Sequence, residues 1–109
     1  MIRSRKLAFA ALFSMSVAAP AFAEQPGITD TEIKFGNIMP YSGPASALSV
    51  TGKAFAAYFD SVNEKGGVNG RKLNMISLDD GFSPPKTVEA TRRLVESEGV
   101  AFMFGTMGT

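Results

Sequence analysis

The run Ile33-Lys34-Phe35-Gly36-Asn37-Ile38-Met39, closed by Pro40, decides the fold. Ile33, Phe35 and Met39 fall on one face of an extended chain and Ile38 on the other, because successive strand side chains point to opposite faces. Apolar residues on both faces of so short a run predict a buried strand of a parallel sheet. Tyr41-Ser42-Gly43-Pro44 is then a loop, since Gly and Pro together interrupt helices and strands alike.

Residues 47–64 carry Thr51, Ala54, Phe55, Tyr58 and Val62 at helical spacing, with Lys53, Asp60 and Glu64 elsewhere on the wheel. This predicts a helix with its buried stripe on the first set. Phe55, Tyr58 and Phe59 read as core on the same grounds. Lys65-Gly66-Gly67 closes the helix with a residue suited to a left-handed C-cap. Asn69-Gly70 is a tight turn into a second strand, 72–79, where Leu73, Met75, Ser77 and Asp79 alternate with Asn74, Ile76 and Leu78. Its greater polarity suits a place nearer the sheet edge.

After the loop 79–85, Ser83 is placed to cap a second helix that opens on Pro84 and Pro85. Val88, Thr91, Leu94 and Val95 form its expected buried stripe, and Glu89 and Arg93 an i,i+4 pair worth only about 0.2–0.5 kcal/mol. Gly99 ends it. Val100-Ala101-Phe102-Met103-Phe104 is apolar throughout and predicts a fully buried central strand, with Gly105-Thr106-Met107-Gly108-Thr109 as the loop after it.

Strand, helix, strand, helix, strand is the signature of a parallel sheet with right-handed crossovers. If the first strand lies between the other two, the crossovers run in opposite directions and one helix covers each face. The crevice outside the carboxyl ends of the first and third strands is then where an open α/β sheet binds ligands. The loops 41–44 and 105–109 border it.

The N-terminus is a separate matter. Arg3, Arg5 and Lys6 precede an apolar run over 7–19, and Ala21-Phe22-Ala23 supplies small residues at the positions a signal peptidase reads. The run is shorter than the roughly 20 residues of a membrane span. Residues 1–23 are therefore expected to be a cleaved secretory signal peptide, and 24–109 an exported, soluble segment, periplasmic in a Gram-negative cell.

Composition narrows the chemistry. The 109 residues include no Cys and no His, with 11 basic and 10 acidic side chains. Disulfides, thiolate nucleophiles and the commonest general base and metal ligand are absent, and the balanced charge does not suggest a nucleic-acid surface. Gly105 to Thr109 can be read as an anion cradle, where small residues let backbone N–H groups approach a carboxylate, or as an ordinary strand-to-helix turn. Asp79 and Asp80 can be read as a carboxylate pair of an exported hydrolase, or as turn-forming acids; both follow the second strand, away from the crevice. Gly36 and Gly43 make no dinucleotide fingerprint.

Three stretches carry a resemblance. Pro40-Tyr41-Ser42-Gly43-Pro44-Ala45, then Val62-Asn63-Glu64-Lys65-Gly66-Gly67-Val68-Asn69-Gly70-Arg71-Lys72-Leu73, and Asp79-Asp80 followed by Pro84-Pro85-Lys86-Thr87-Val88 together resemble the periplasmic leucine/isoleucine/valine-binding protein family, the type I periplasmic binding proteins of ABC transporters. The resemblance implies a Rossmann-like βαβαβ parallel sheet, with residues 24–109 the incomplete N-terminal lobe of a bilobal receptor. Such a receptor closes on a small solute (a branched-chain or other amino acid, an amide or an aromatic carboxylate) and delivers it to an inner-membrane ABC permease. It implies no catalytic residue, cofactor or metal. Met107, Gly108 and Thr109 match the stretch that holds the ligand carboxylate, with Thr109 as hydroxyl donor. Ser42 falls near the cleft, and Leu48 stands where the amino-acid receptors often carry a Tyr, so the side-chain pocket is expected to differ. The sensor domain of a signalling receptor is the alternative on the same fold. With one helix on each face and an open sheet edge, residues 24–109 alone are expected to fold poorly and to bind no solute usefully.

Overall fold

In the computed structural model, residues 25–108 are described; the expected signal peptide 1–23, Glu24 and Thr109 lie outside them. β1 (Glu32–Met39) leads through a short 3-10 turn, Ser46–Ser49, into α1 (Val50–Glu64), so the helix proper begins three residues later than its period suggests. β2 (Lys72–Asp79) follows, then α2 (Pro84–Arg92), whose last turn widens into a π-helical turn over Arg93–Ser97.

β1 and β2 are parallel and in unbroken register from Glu32↔Lys72 to Met39↔Asp79. The third segment, 100–104, lies along the opposite flank of β1. The Ala101 N–H donates to Lys34 O (2.9 Å), Gly36 N–H to Phe102 O (2.9 Å) and Phe104 N–H to Gly36 O (2.8 Å), and Gly36 and Met103 form a parallel bridge. β1 is thus central, as expected, and the sheet order is β2, β1, 100–104. The expected fully buried third strand is corrected. Residues 100–104 form one bridge rather than a continuous strand, and Phe102 (47% exposed) and Phe104 (38%) are open, because no described strand covers that side of the segment.

The two helices cover opposite faces of β1. On one face Ile38, Ala90, Leu94 and Val100 make an aliphatic core, with Ile76, Leu78 and Met103 packed around it. On the other, Phe35 stacks on Phe102 (5.3 Å between centroids) and meets Phe59 of α1 edge-on (5.1 Å), while Phe104 touches Phe55 and Phe59.

Both helical stripes are rotated from their expected phase. Tyr58, Val88 and Val95 are exposed. The inward residues are Gly52, Phe55, Phe59 and Val62 on α1, and Thr87, Ala90, Thr91 and Leu94 on α2 and its extension. The small residues decide the phase. A Cβ on Gly52 would come within 2.6 Å of the Tyr41 hydroxyl and 2.8 Å of Met39 Cγ, so α1 lies directly on the sheet there. The Glu89–Arg93 pair does not form. Arg93 reaches Glu98 instead (3.3 Å), because the π-helical turn brings the fifth residue, rather than the fourth, alongside. Arg92 pairs with Glu96 (3.8 Å).

The connection from α1 to β2 is tightly specified. Asn63 accepts from Leu73 N–H (2.7 Å) and donates to Leu73 O (2.8 Å). Val68 and Arg71 exchange backbone bonds across Asn69-Gly70, both at positive φ (50° and 78°), the pattern of a type I′ turn.

Candidate functional site

Because the strands are parallel, the loops leaving their carboxyl ends share one rim. Three meet there: 40–45 after β1, 80–83 after β2, and 105–108 after the third segment. The decisive bond is Met107 N–H to Ile38 O (3.0 Å), which holds the last loop against the end of β1. The tails of the first and third extended segments are therefore neighbours, as the crossover argument requires.

The ladder on this flank contains one extra residue. After Phe104 N–H bonds Gly36 O, regular parallel pairing would bring Thr106 to Ile38 O, but Met107 takes that place. Gly105, at φ +58°, absorbs the excess, and a Cβ there would come within 2.6 Å of the Phe55 ring. The insertion takes the carbonyls of Phe104 and Gly105 off the ladder. Asn37, fully buried in β1, satisfies both through Nδ2, at 2.8 and 3.1 Å. Its Oδ1 accepts from Ser77 Oγ (2.7 Å), and Ser77 Oγ lies 2.5 Å from the Tyr41 hydroxyl. With the Ser77 proton committed to Asn37, Tyr41 must donate to Ser77. A chain of hydrogen bonds thus runs from Tyr41 through both strands to the 105–108 loop.

Asp79 and Asp80 occupy different surroundings. Asp79 accepts from Ser42 Oγ (2.5 Å), Ser42 N–H (3.1 Å) and Gly81 N–H (2.9 Å). These bonds, the Ser42 hydroxyl first and the Gly81 amide next, hold its carboxyl below the ordinary value of 3.8. Asp79 therefore ties the β2 loop to the β1 loop, which corrects the expectation that it lies apart from the crevice. Asp80 is buried and accepts from Phe82 N–H (2.9 Å) and Thr87 Oγ1 (2.5 Å). The cap expected of Ser83 does not form: Ser83 stands at the N-cap position without a side-chain bond, its carbonyl accepts from Thr87 N–H (2.9 Å), and Asp80 ties the loop to the first helical turn through the Thr87 hydroxyl. Both acids are engaged in holding turns.

Of the expected site residues, Met107 and Gly108 lie on the rim, and Gly108 shares a cavity of about 80 Å³ with Asp80, Phe82, Pro84 and Thr87. Ser42 is exposed on the rim but bound to Asp79. Leu48 is 42% exposed in the 3-10 turn before α1. Thr109 is outside the described residues. Sequence reasoning passed over Asn37, although a lone amide within an otherwise apolar strand is the kind of buried polar group that calls for an explanation.

Comparison with known proteins agrees with this architecture. The periplasmic binding protein family matches residues 32–109. The Leu/Ile/Val-binding protein homolog 7 of Brucella suis biovar 1 (strain 1330) is 32% identical over 99 residues, which are 90% of this chain and 24% of that protein. The chain thus spans about a quarter of the length of the curated relatives it matches. A possible leucine/isoleucine/valine-binding protein from Rhodopirellula baltica SH 1 superimposes with a TM-score of 0.66 at 32% identity, over 73% of this chain and 22% of that one. A solute-binding protein of an ABC transporter from R. palustris, solved in complex with benzoate, gives a TM-score of 0.55 at 32% identity, over 70% and 21%.

Proposed function

The chain belongs to the periplasmic binding protein family, and on that footing we propose that it is the N-terminal part of an ABC-transporter substrate-binding protein that captures a small solute in the periplasm and passes it to an inner-membrane permease. The observation that carries the proposal is the bond from Met107 N–H to Ile38 O, which brings two strand ends and their loops to one rim, the place where open α/β sheets seat ligands.

The names borne by the similar proteins, leucine, isoleucine, valine and benzoate, share one chemistry: a carboxylate on an apolar body. The loop 105–109 suits the carboxylate, with Met107, Gly108 and Thr109 as its frame. Ser42 has a different part. Its hydroxyl proton and its amide proton are both given to Asp79, so its oxygen offers only lone pairs and suits a donor on the solute, such as an ammonium or amide N–H. Leu48 offers exposed apolar surface in the 3-10 turn that follows the first loop. Hydrolysis by Asp79 or Asp80 is disfavoured by their geometry, since both carboxylates are occupied by turn amides and hydroxyls, and Asp79 is held further from the range useful to a general acid.

A thermal-shift panel of amino acids and aromatic carboxylates on the full-length protein tests the reading. A solute at 100 times its Kd adds about 2.7 kcal/mol to stability, a rise of several degrees, and is recovered unchanged. A panel that leaves the unfolding temperature where it was, or a solute that is turned over, would overturn it.

A further inference from the structure

The extra residue in the third-segment ladder is a register device: we infer that Gly105 and Asn37 together advance the following loop by one residue, so that Met107 and not Thr106 is tied to Ile38. Asn37 is then a positioning residue for the stretch 107–109. The inference rests on the receptor reading above, which seats the solute's carboxylate on that stretch, and adds to it what selects the residues presented there.

Backbone geometry carries the argument. Successive carbonyls of an extended strand point to opposite sides, so an unbroken ladder turns only one of any two towards its neighbour. Asn37 Nδ2 donates to two in a row, those of Phe104 and Gly105, at 2.8 and 3.1 Å. Only the inserted register offers that pair. In the regular one, Ile38 N–H would donate to Phe104 O and Thr106 N–H to Ile38 O; neither bond is present. Gly105 permits the insertion through its φ of +58°, and a Cβ there would come within 2.6 Å of the Phe55 ring.

The Asn37 amide is free to serve two acceptors because its oxygen is already used. Ser77 Oγ donates to Oδ1 and accepts from the Tyr41 hydroxyl, which leaves both Nδ2 protons for the loop. An apolar side chain in place of Asn37 would leave the two carbonyls without a partner. A slip of one residue relieves them: Ile38 N–H takes the Phe104 carbonyl, and that of Gly105 turns to the open edge. The slip also reaches the rim. It puts Thr106, exposed in the structure, into the half-buried place of Met107, and carries Gly108 and Thr109 one position further from Ile38.

The test uses the full-length protein, L-leucine and benzoate as probes, and two variants: Asn37→Leu, and Asn37→Leu with Gly105 deleted. Crystal structures read the register directly. In Asn37→Leu the bond to Ile38 O passes from Met107 to Thr106, and binding of a probe weakens at least tenfold. Deleting Gly105 returns Met107 to Ile38 without an insertion, so the double variant recovers to within threefold of wild type. A residue that only fills the core would not be rescued by shortening a loop. Met107 still on Ile38 O in Asn37→Leu, wild-type affinity in that variant, or a double variant that binds no better, overturns the inference. Should Asn37→Leu not fold, the double variant decides: folded with Met107 on Ile38 it supports the register role, and unfolded it overturns it. A wild type that binds neither probe counts against the receptor reading beneath, and the two crystal structures then decide the register alone.

Discussion

The two flanks of β1 are built in different ways. On the β2 side the strands run in register for the whole length of both, from Glu32↔Lys72 to Met39↔Asp79, and the entry to that ladder is clamped by Asn63 and the glycines of the turn. On the other side the ladder holds only from Ala101 to Phe104, gains a residue at Gly105, and is completed by the Asn37 side chain. The continuous ladder pairs every backbone group that β1 and β2 turn towards each other. The interrupted one gives two carbonyls, those of Phe104 and Gly105, to the Asn37 side chain in place of backbone partners. The regular flank is held by backbone bonds alone, and the irregular flank by a buried side chain as well.

Several substitutions would sharpen or break that contrast, measured by chemical or thermal denaturation. The largest effect is expected where both flanks depend on one side chain. Leu94 is fully buried against Ile38, Ala90 and Val100, and Leu94→Ala should cost about 2–5 kcal/mol, the usual range for an aliphatic core truncation. A loss below 1 kcal/mol would mean that this core is not shared.

Next comes the regular flank. Gly67 sits at φ +76°, and a Cβ there would overlap the Arg71 carbonyl. Gly67→Ala should cost about 3 kcal/mol, the upper end for a residue forced into an unfavourable backbone conformation. Asn63→Ala, which removes both bonds to Leu73, should cost about 2 kcal/mol. An unchanged denaturation midpoint in either would show that the clamp does not set the register.

The tie between the two rim loops should appear only in acid. Hydrogen bonds from Ser42 and Gly81 lower the Asp79 pKa from 3.8. A group whose folded-state pKa is depressed stabilises the protein above its unfolded value, and that contribution fades as pH falls from 3.8 through the lowered value. Asp79→Asn should therefore flatten the pH dependence of the unfolding temperature below pH 3.8. A slope there identical to wild type would dispose of the tie. The smallest effect is Glu96→Gln: the Arg92–Glu96 pair is fully on the surface at 3.8 Å, and its loss should stay below about 0.5 kcal/mol.

How much of this was legible follows the range of each signal. Apolar runs and turn residues are local, so the two strands, the two helices and the Asn69-Gly70 turn could all be read before any coordinates, while the central place of β1 entered only as a condition that the backbone bonds on both its flanks meet. The loop after residue 104 was equally readable as glycine-rich, and so was its place at the crevice. The phase of the helices was not: the stripe through Tyr58 or Val88 fits the helical period as well as the one through Phe59 or Leu94, and only the close approach at Gly52 and Ala90 selects between them. Ser83 looked like a cap for the same reason of locality, whereas Asp80 reaches Thr87 because the chain folds back at Gly81 and Phe82.

By itself, then, the order of apolar runs, helical periods and turns determined a parallel sheet of alternating strands and helices with its loops at one rim, because those features depend on neighbours along the chain. Only the tertiary structure decided which helix faces turn inward, that the third segment is an interrupted partner of β1, and that Asn37 holds the carbonyls of Phe104 and Gly105. Asn37 and Phe104 are far apart in sequence, and no local pattern records that their backbones will meet one residue out of step.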